Sequence, residues 1–262
     1  MLNWLNQLMR CLLLMLLGQV LLGCASSVSV DTASSPAATA DMLPPASWVQ
    51  VGGGHVSDWQ HFPFPSKTPT TYRYTSEDGR EAVQAQSQSS SSMLRRDISL
   101  SAQTLGTFQF SWKVPELLKN CDVGISEVDD SPVRILLTFE GDRGKFSAKN
   151  ALVSELALLL LGEPLPYATL VYVWSNHHPL ESVILSPRTD RVRSIVVESG
   201  GTHLNKWQDY ERNIRADFET AFGEAPGALL RIALMTDSDN TQSKTAAWYG
   251  APRFKSGALQ IK

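Results

Sequence analysis

From Thr107 onward the chain alternates. Phe108, Phe110, Trp112 and Val114 fall on one face of an extended segment and Gln109, Ser111 and Lys113 on the other, the period-two signature of a half-buried strand. Val133, Ile135, Leu137 and Phe139 repeat the pattern after Pro132. Shorter stretches predict further strands at Tyr72–Tyr74, Ala82–Ala85, Leu170–Trp174, Val183–Leu185, Val192–Val197, Leu230–Met235 and Ala246–Phe254. Many short strands separated by Gly, Pro, Asn and Asp point to a mainly β fold, an antiparallel β-sandwich with two inserted or flanking α-helices.

The first helix is expected over Ala148–Leu161, capped by Ser147, with Leu152, Leu156, Leu159 and Leu160 as its apolar face and Gly162 and Pro164 as its stop. The second is expected from about Asn205 to Phe222, with Trp207, Tyr210, Ile214, Phe218 and Phe222 as a core-facing stripe and Gly223 as its end. The polar tract Gln84–Ser92 reads as an exposed strand edge or loop.

The N-terminus predicts a destination. Leu12–Leu22 is an apolar run too short to cross a ~30 Å hydrocarbon layer as a helix, which favours a leader, residues 1–23, over a membrane span. The run ends in Leu21-Leu22-Gly23-Cys24, which resembles a bacterial lipobox and implies diacylation of Cys24. Ala25 follows rather than Asp, which in similar lipoproteins favours the outer membrane, with the domain facing the periplasm. Residues 24–46, rich in Ser, Ala, Thr, Val and Pro, read as a flexible tether with too little bulky apolar surface to fold. That leaves 47–262 as a single domain.

Composition narrows the partners. Across 262 residues the net charge is -3, without the basic balance of a nucleic-acid-binding surface. With Cys11 in the leader and Cys24 acylated, Cys121 stands alone and no intramolecular disulfide can form. Nucleophile-elbow, zinc-protease, phosphate-loop and dinucleotide-binding patterns are missing. His177 and His178 are adjacent, so in an extended segment their rings point apart and a shared metal would need a bend.

Three groups remain as candidate chemistry. Asp237, Asp239 and Asn240 follow a strand in a turn rich in oxygen ligands, a candidate structural calcium site, and Glu127, Asp129 and Asp130 form a second acidic cluster. Asp130 with Asp237 or Asp239 is the candidate acid–base pair of a glycan hydrolase, which requires carboxylates ~5 to 9 Å apart across a cleft. Trp59, Trp248 and Tyr249 sit in polar surroundings and are the candidate ligand-binding aromatics.

Five ordered blocks carry a resemblance: Asp129–Ile135, Phe139–Arg143, Leu165–Trp174, Trp207–Asn213 and Met235–Thr241. Together they resemble the bacterial domain-of-unknown-function family 3047 over roughly Trp48 to Phe254. The order of Trp, helix, Phe-Gly and closing strand is also similar to galactose-binding-like jelly rolls and carbohydrate-binding modules. The resemblance implies a jelly roll and no assigned activity. The expected function is a lipid-anchored, non-catalytic module for a glycan or envelope component, the alternatives being a carboxylate-dependent glycan hydrolase or a scaffold in an envelope protein complex.

Overall fold

The structure, a computed structural model, describes residues 59–255. The expected leader, Cys24 and the tether lie outside the described residues. The strands are β1 (Gln60–Pro63), β2 (Thr71–Glu77), β3 (Arg80–Gln88), β4 (Ser92–Leu100), β5 (Thr107–Lys113) and β6 (Ser131–Phe139). After helix α1 (Ala148–Leu161) come β7 (Ala168–Ser175), β8 (Val183–Leu185), β9 (Val192–Ser199) and β10 (Trp207–Asn213). Helix α2 (Ile214–Phe222) precedes β11 (Leu229–Asp237), β12 (Lys244–Gly250) and β13 (Arg253–Lys255).

Two sheets form a sandwich of the jelly-roll class. One has seven strands in the order β1-β4-β11-β6-β7-β9-β8; the other runs β10-β5-β12-β3-β2, with β13 also paired to β5. All pairs are antiparallel except β7 with β9. Every residue of β7 is buried, as is usual for a strand in a parallel pair.

The inward faces of β5 and β6 meet as the alternation predicts. Phe108, Phe110 and Trp112 pack against Ile135, Leu137, Phe139, Tyr172 and Trp174 in one core. Phe110 stacks on Tyr172 at 5.3 Å and on Tyr210 at 5.1 Å between ring centres.

The second helix is shorter than its stripe suggests. Residues 207–213 form β10, paired residue for residue with β5 from Lys113 to Thr107, and α2 starts only at Ile214, where Asn213 accepts a hydrogen bond from the Ala216 N–H at 3.1 Å. Spacing of apolar residues by three and four suits a helix, but the open edge of β5 needs a partner for its backbone groups, and that need decides. Tyr210 therefore reaches the core, while Trp207, three positions before it, lies on the outer face.

The tract Gln84–Ser92 is also reassigned. β3 lies between β2 and β12, and Ser87, Ser90, Ser91 and Ser92 are buried. Their hydroxyls bond one another and nearby backbone, as Ser87 does with Ser90 and Ser238 at 2.9 and 2.7 Å. The strand expected over Ala246–Phe254 breaks into β12 and β13 at Pro252, which has no N–H for a ladder.

α1 has the predicted ends. Ser147 accepts from the Asn150 N–H and Gly162 closes the helix at φ 76°. Its leucine face, however, points to solvent: Leu152, Leu156, Leu159 and Leu160 are 71%, 51%, 81% and 60% exposed, and Asn150, Ser154 and Ala157 are its buried residues.

Candidate functional site

The outer face of the six-stranded sheet is laid out by register. Arg73 lies opposite Gln84, Gln84 opposite Trp248, Trp248 opposite Lys113, and Lys113 opposite Trp207, so these five side chains form one row across five strands. Beside that row the side chains shrink. Thr71, Gln86 and Ala246 make the row on one side; Thr75, Ala82 and Gly250 make the row on the other, with Ser111 opposite Asp209 farther along.

A cavity lies over each of these flanking rows. A cavity of about 640 Å³ is lined by Thr68, Thr71, Gln86, Pro115, Lys244 and Ala246. A second, of about 410 Å³, is lined by Arg80, Gln109, Ser111, Asp209, Gly250 and Arg253. Gly250 matters sterically, since a Cβ there would stand 2.1 Å from the Ser111 Oγ and 3.7 Å from the Trp207 ring.

The turn between β2 and β3 closes one end of this trough. Lys113 is paired to Glu77 and, at 2.8 Å, to Asp78; these contacts hold its ammonium above its ordinary pKa. The Lys113 Nζ also lies 5.5 Å from the Trp248 ring centre. The Trp207 Nε1 donates to the Glu77 carbonyl at 3.3 Å, and the Arg80 guanidinium covers the Trp207 ring at 5.3 Å while binding Asp209 at 2.8 Å. The Trp207 indole is therefore held at its edge by Glu77 and covered by Arg80, and Lys113 lies over Trp248, with Gln86 exposed and Gln84 half-buried beside them.

The expected ligand-binding trio divides. Trp248 belongs to this trough. Tyr249, its neighbour in β12, points the other way and is fully buried, its hydroxyl donating to the Met235 carbonyl at 2.6 Å and bonded to the Thr236 hydroxyl at 2.8 Å. A strand sends successive side chains to opposite faces, so the pair cannot form one surface. Trp59 packs against the core beside β1, with its indole nitrogen buried. Trp207, expected in a core stripe, is the aromatic that the sequence misplaced; the alternation of β10 was its signal, overlaid by the stronger helical spacing.

The acidic loops do meet, at the end of β11. Carboxylate oxygens of Asp130, Asp237 and Asp239 lie within 4.8 Å of one another, and all three residues are buried. Asp130 accepts the N–H groups of Asn240 and Thr241 at 3.2 and 2.6 Å and the Thr241 hydroxyl at 2.6 Å. Arg134 binds Asp129 at 2.8 Å and Asp237 at 3.2 Å, Lys67 pairs with Asp239, and Arg188 binds Asp129 at 2.7 Å. Burial drives the Asp237 carboxyl up, and although Arg134 opposes this, the nearby Asp130 and Asp129 help leave it at about 7.

These contacts decide what the cluster is. Protein cations, Arg134, Lys67 and Arg188, already pair with its carboxylates, and Asn240, expected as a third oxygen ligand with Asp237 and Asp239, donates its amide nitrogen to the Ser126 carbonyl at 2.8 Å. A calcium ion prefers six to eight oxygens without a guanidinium among them, so the residues present do not fit that ion. Of the candidate acid–base pair, Asp130 is held by Asn240 and Thr241, Asp237 by Arg134 and Asp239 by Lys67, and all three are buried. The cluster joins the loop before β6 to the loop after β11.

His177 and His178 show the bend that a shared partner requires. The Ser175 Oγ accepts both their backbone N–H groups, at 3.4 and 3.1 Å, and the rings stack at 4.6 Å. Both Nε2 atoms lie on Asp122, at 3.2 and 2.8 Å. Cys121 is buried, and burial pushes its thiol up to about 11.

Fold and site together define a β-sandwich protein with a row of two tryptophans and polar side chains on one outer face, flanked by two polar cavities. The chain belongs to the family described as protein of unknown function DUF3047, whose model matches residues 57–253. No curated protein matches it in sequence. Among solved structures it is similar to a thermostable cellulase derived from Cel12A of Rhodothermus marinus, at 10% identity and TM-score 0.42, covering 79% of this chain and 94% of that one. It is also similar to the xyloglucanase domain of NopAA from Sinorhizobium fredii, at 10% identity and TM-score 0.37, covering 76% and 93%. Endoglucanase 3 of Trichoderma harzianum, from family GH12, matches at 7% identity and TM-score 0.40, covering 77% and 99%.

Proposed function

We propose that this protein is a binding module of the cell envelope that takes a glycan strand or similar polymer along the outer face of its six-stranded sheet. The observation that carries the reading is the row Arg73–Gln84–Trp248–Lys113–Trp207 with a cavity on each side. Indole faces offer flat apolar area to the apolar faces of sugar rings, and the amides and charged groups around them match hydroxyls. An open trough suits an extended polymer better than a small metabolite, which is usually enclosed. Acylation of Cys24 would hold the module at a membrane, with residues 24–46 as its tether and the outer membrane as its location.

The test is a pull-down on peptidoglycan and a panel of envelope and plant polysaccharides. Trp248→Ala and Trp207→Ala should each abolish retention while leaving the melting temperature within a few degrees. Trp112→Phe, in the core, should lower the melting temperature and leave retention intact. Retention unchanged in both trough variants, or no retention of the native protein on any polymer, would reject the reading.

A further inference from the structure

Helix α1 turns its small and polar side chains to the protein and its leucines to water. The orientation is fixed by contacts. The Asn150 amide donates to Asp190 at 2.5 Å, its carbonyl accepts from the Thr189 hydroxyl at 2.8 Å, and Ser154 and Ala157 fill the same buried face. Rolling the helix to hide its leucines would break those bonds and bury Lys149 and Glu155. An exposed ridge of Leu152, Leu156, Leu158, Leu159 and Leu160 on a fixed helix is a surface built to be covered.

Two observations say by what. Arg143, Lys145 and Lys149 are exposed at the N-terminal end of α1 beside the exposed Glu140 and Asp142, so that end of the ridge carries three cations against two carboxylates. Beside the buried face of α1, where Ala157 and Leu161 lie, is a cleft of about 580 Å³ lined by Phe62, Phe64, Met93, Leu136 and Leu165 together with Arg143 and Glu163. Phe62 belongs to β1, the first described strand, so the described chain begins beside this cleft, after the segment 1–58. The expected acylated cysteine is in that segment.

We propose that α1 is a membrane-docking element whose leucine ridge enters the headgroup–acyl boundary of an anionic bilayer while Arg143, Lys145 and Lys149 meet lipid phosphates. The proposal rests on the envelope-anchored reading for bringing the domain to a bilayer, but the contact itself needs no acyl chain. It also orients the molecule. The cleft beside α1 is floored by outward residues of the seven-stranded sheet, Leu136, Ala233 and Met235 among them, whereas the trough is on the outer face of the other sheet. Docking through α1 turns the trough away from the membrane, toward polymer.

The experiment is flotation of the chain from residue 24 to 262 carrying Cys24→Ser, so that no lipid is attached, with vesicles of phosphatidylglycerol and phosphatidylethanolamine or of phosphatidylcholine alone. The unacylated protein should float with the anionic vesicles and float less as salt rises. Leu152→Ser/Leu156→Ser/Leu159→Ser should weaken binding at least tenfold without lowering the melting temperature, because those side chains already face water. Lys145→Ser/Lys149→Ser should weaken binding and flatten its salt dependence. Three results would overturn the proposal: no flotation with either vesicle, flotation of the triple leucine variant equal to the parent, or a dimer dissociated by the leucine changes with no flotation, which would make a second copy the cover. Acylation of Cys24 in the native protein is read separately by the mass of its N-terminal peptide, so its failure and that of the docking helix are distinguishable.

Discussion

Arg134→Met tests whether the buried charge cluster holds the loops at the end of β11. Arg134 is buried between Asp129 and Asp237, and its guanidinium is the cation nearest the centre of a group that also contains Asp130. Methionine keeps much of the length and removes the charge, leaving buried carboxylates without their partner. Breaking a buried pair in this way costs about 3–5 kcal/mol, which for a domain of this size lowers the melting temperature by roughly 10 °C. The deficit should depend on pH. The Asp237 carboxyl stands at about 7 in the folded protein against an ordinary 3.8, so its contribution to stability is complete below the unfolded value and is lost as pH rises through about 7. Removing Arg134 raises the folded value further, so the variant should be worst at pH 8 and recover toward pH 5. Thermal melts of both proteins at pH 5 and 8 read this directly, and Arg134→Met/Asp237→Asn should regain part of the loss at pH 8. If Arg134→Met melts within about 2 °C of the parent at both pH values, the cluster does not hold the loops and the reasoning is wrong.

Other outcomes follow from local geometry. Gly227→Ala would place a Cβ 2.2 Å from the Glu140 carbonyl oxygen, a rigid backbone atom, and should cost about 1–3 kcal/mol or more in a denaturant titration. Gly250→Ala meets the Ser111 hydroxyl instead, which can rotate, so it should cost less in the same titration. Ser147→Ala removes the cap of α1 and should cost about 1 kcal/mol. Cys121, with its thiol pushed up to about 11, should react with a thiol reagent at pH 8 only after unfolding, measured in the Cys24→Ser protein.

The alternating strands were legible because burial on one face imposes a period of two, and Phe108–Val114 and Val133–Phe139 carry it without interruption. The ends of α1 were legible for a local reason too: Ser147 and Gly162 satisfy helix ends by themselves. β4 was not, since Arg95 and Arg96 interrupt its apolar pattern although Arg96 is buried. The acidic residues around Asp237, and Asp130 as their companion, could be named from the chain, but not that Arg134 would lie among them, because strand pairing between β6 and β11 sets that meeting.

The sequence by itself therefore determined the sandwich class, the core stripes of β5 and β6 and the caps of α1, all of which depend on neighbours within a few residues. Only the tertiary structure decided that Trp248 and Trp207 share a row, that Tyr249 turns inward, that residues 207–213 pair as a strand, and that the leucines of α1 face water. Each of those depends on which backbone lies alongside, and hydrogen bonding between segments distant in the chain leaves little trace in local pattern.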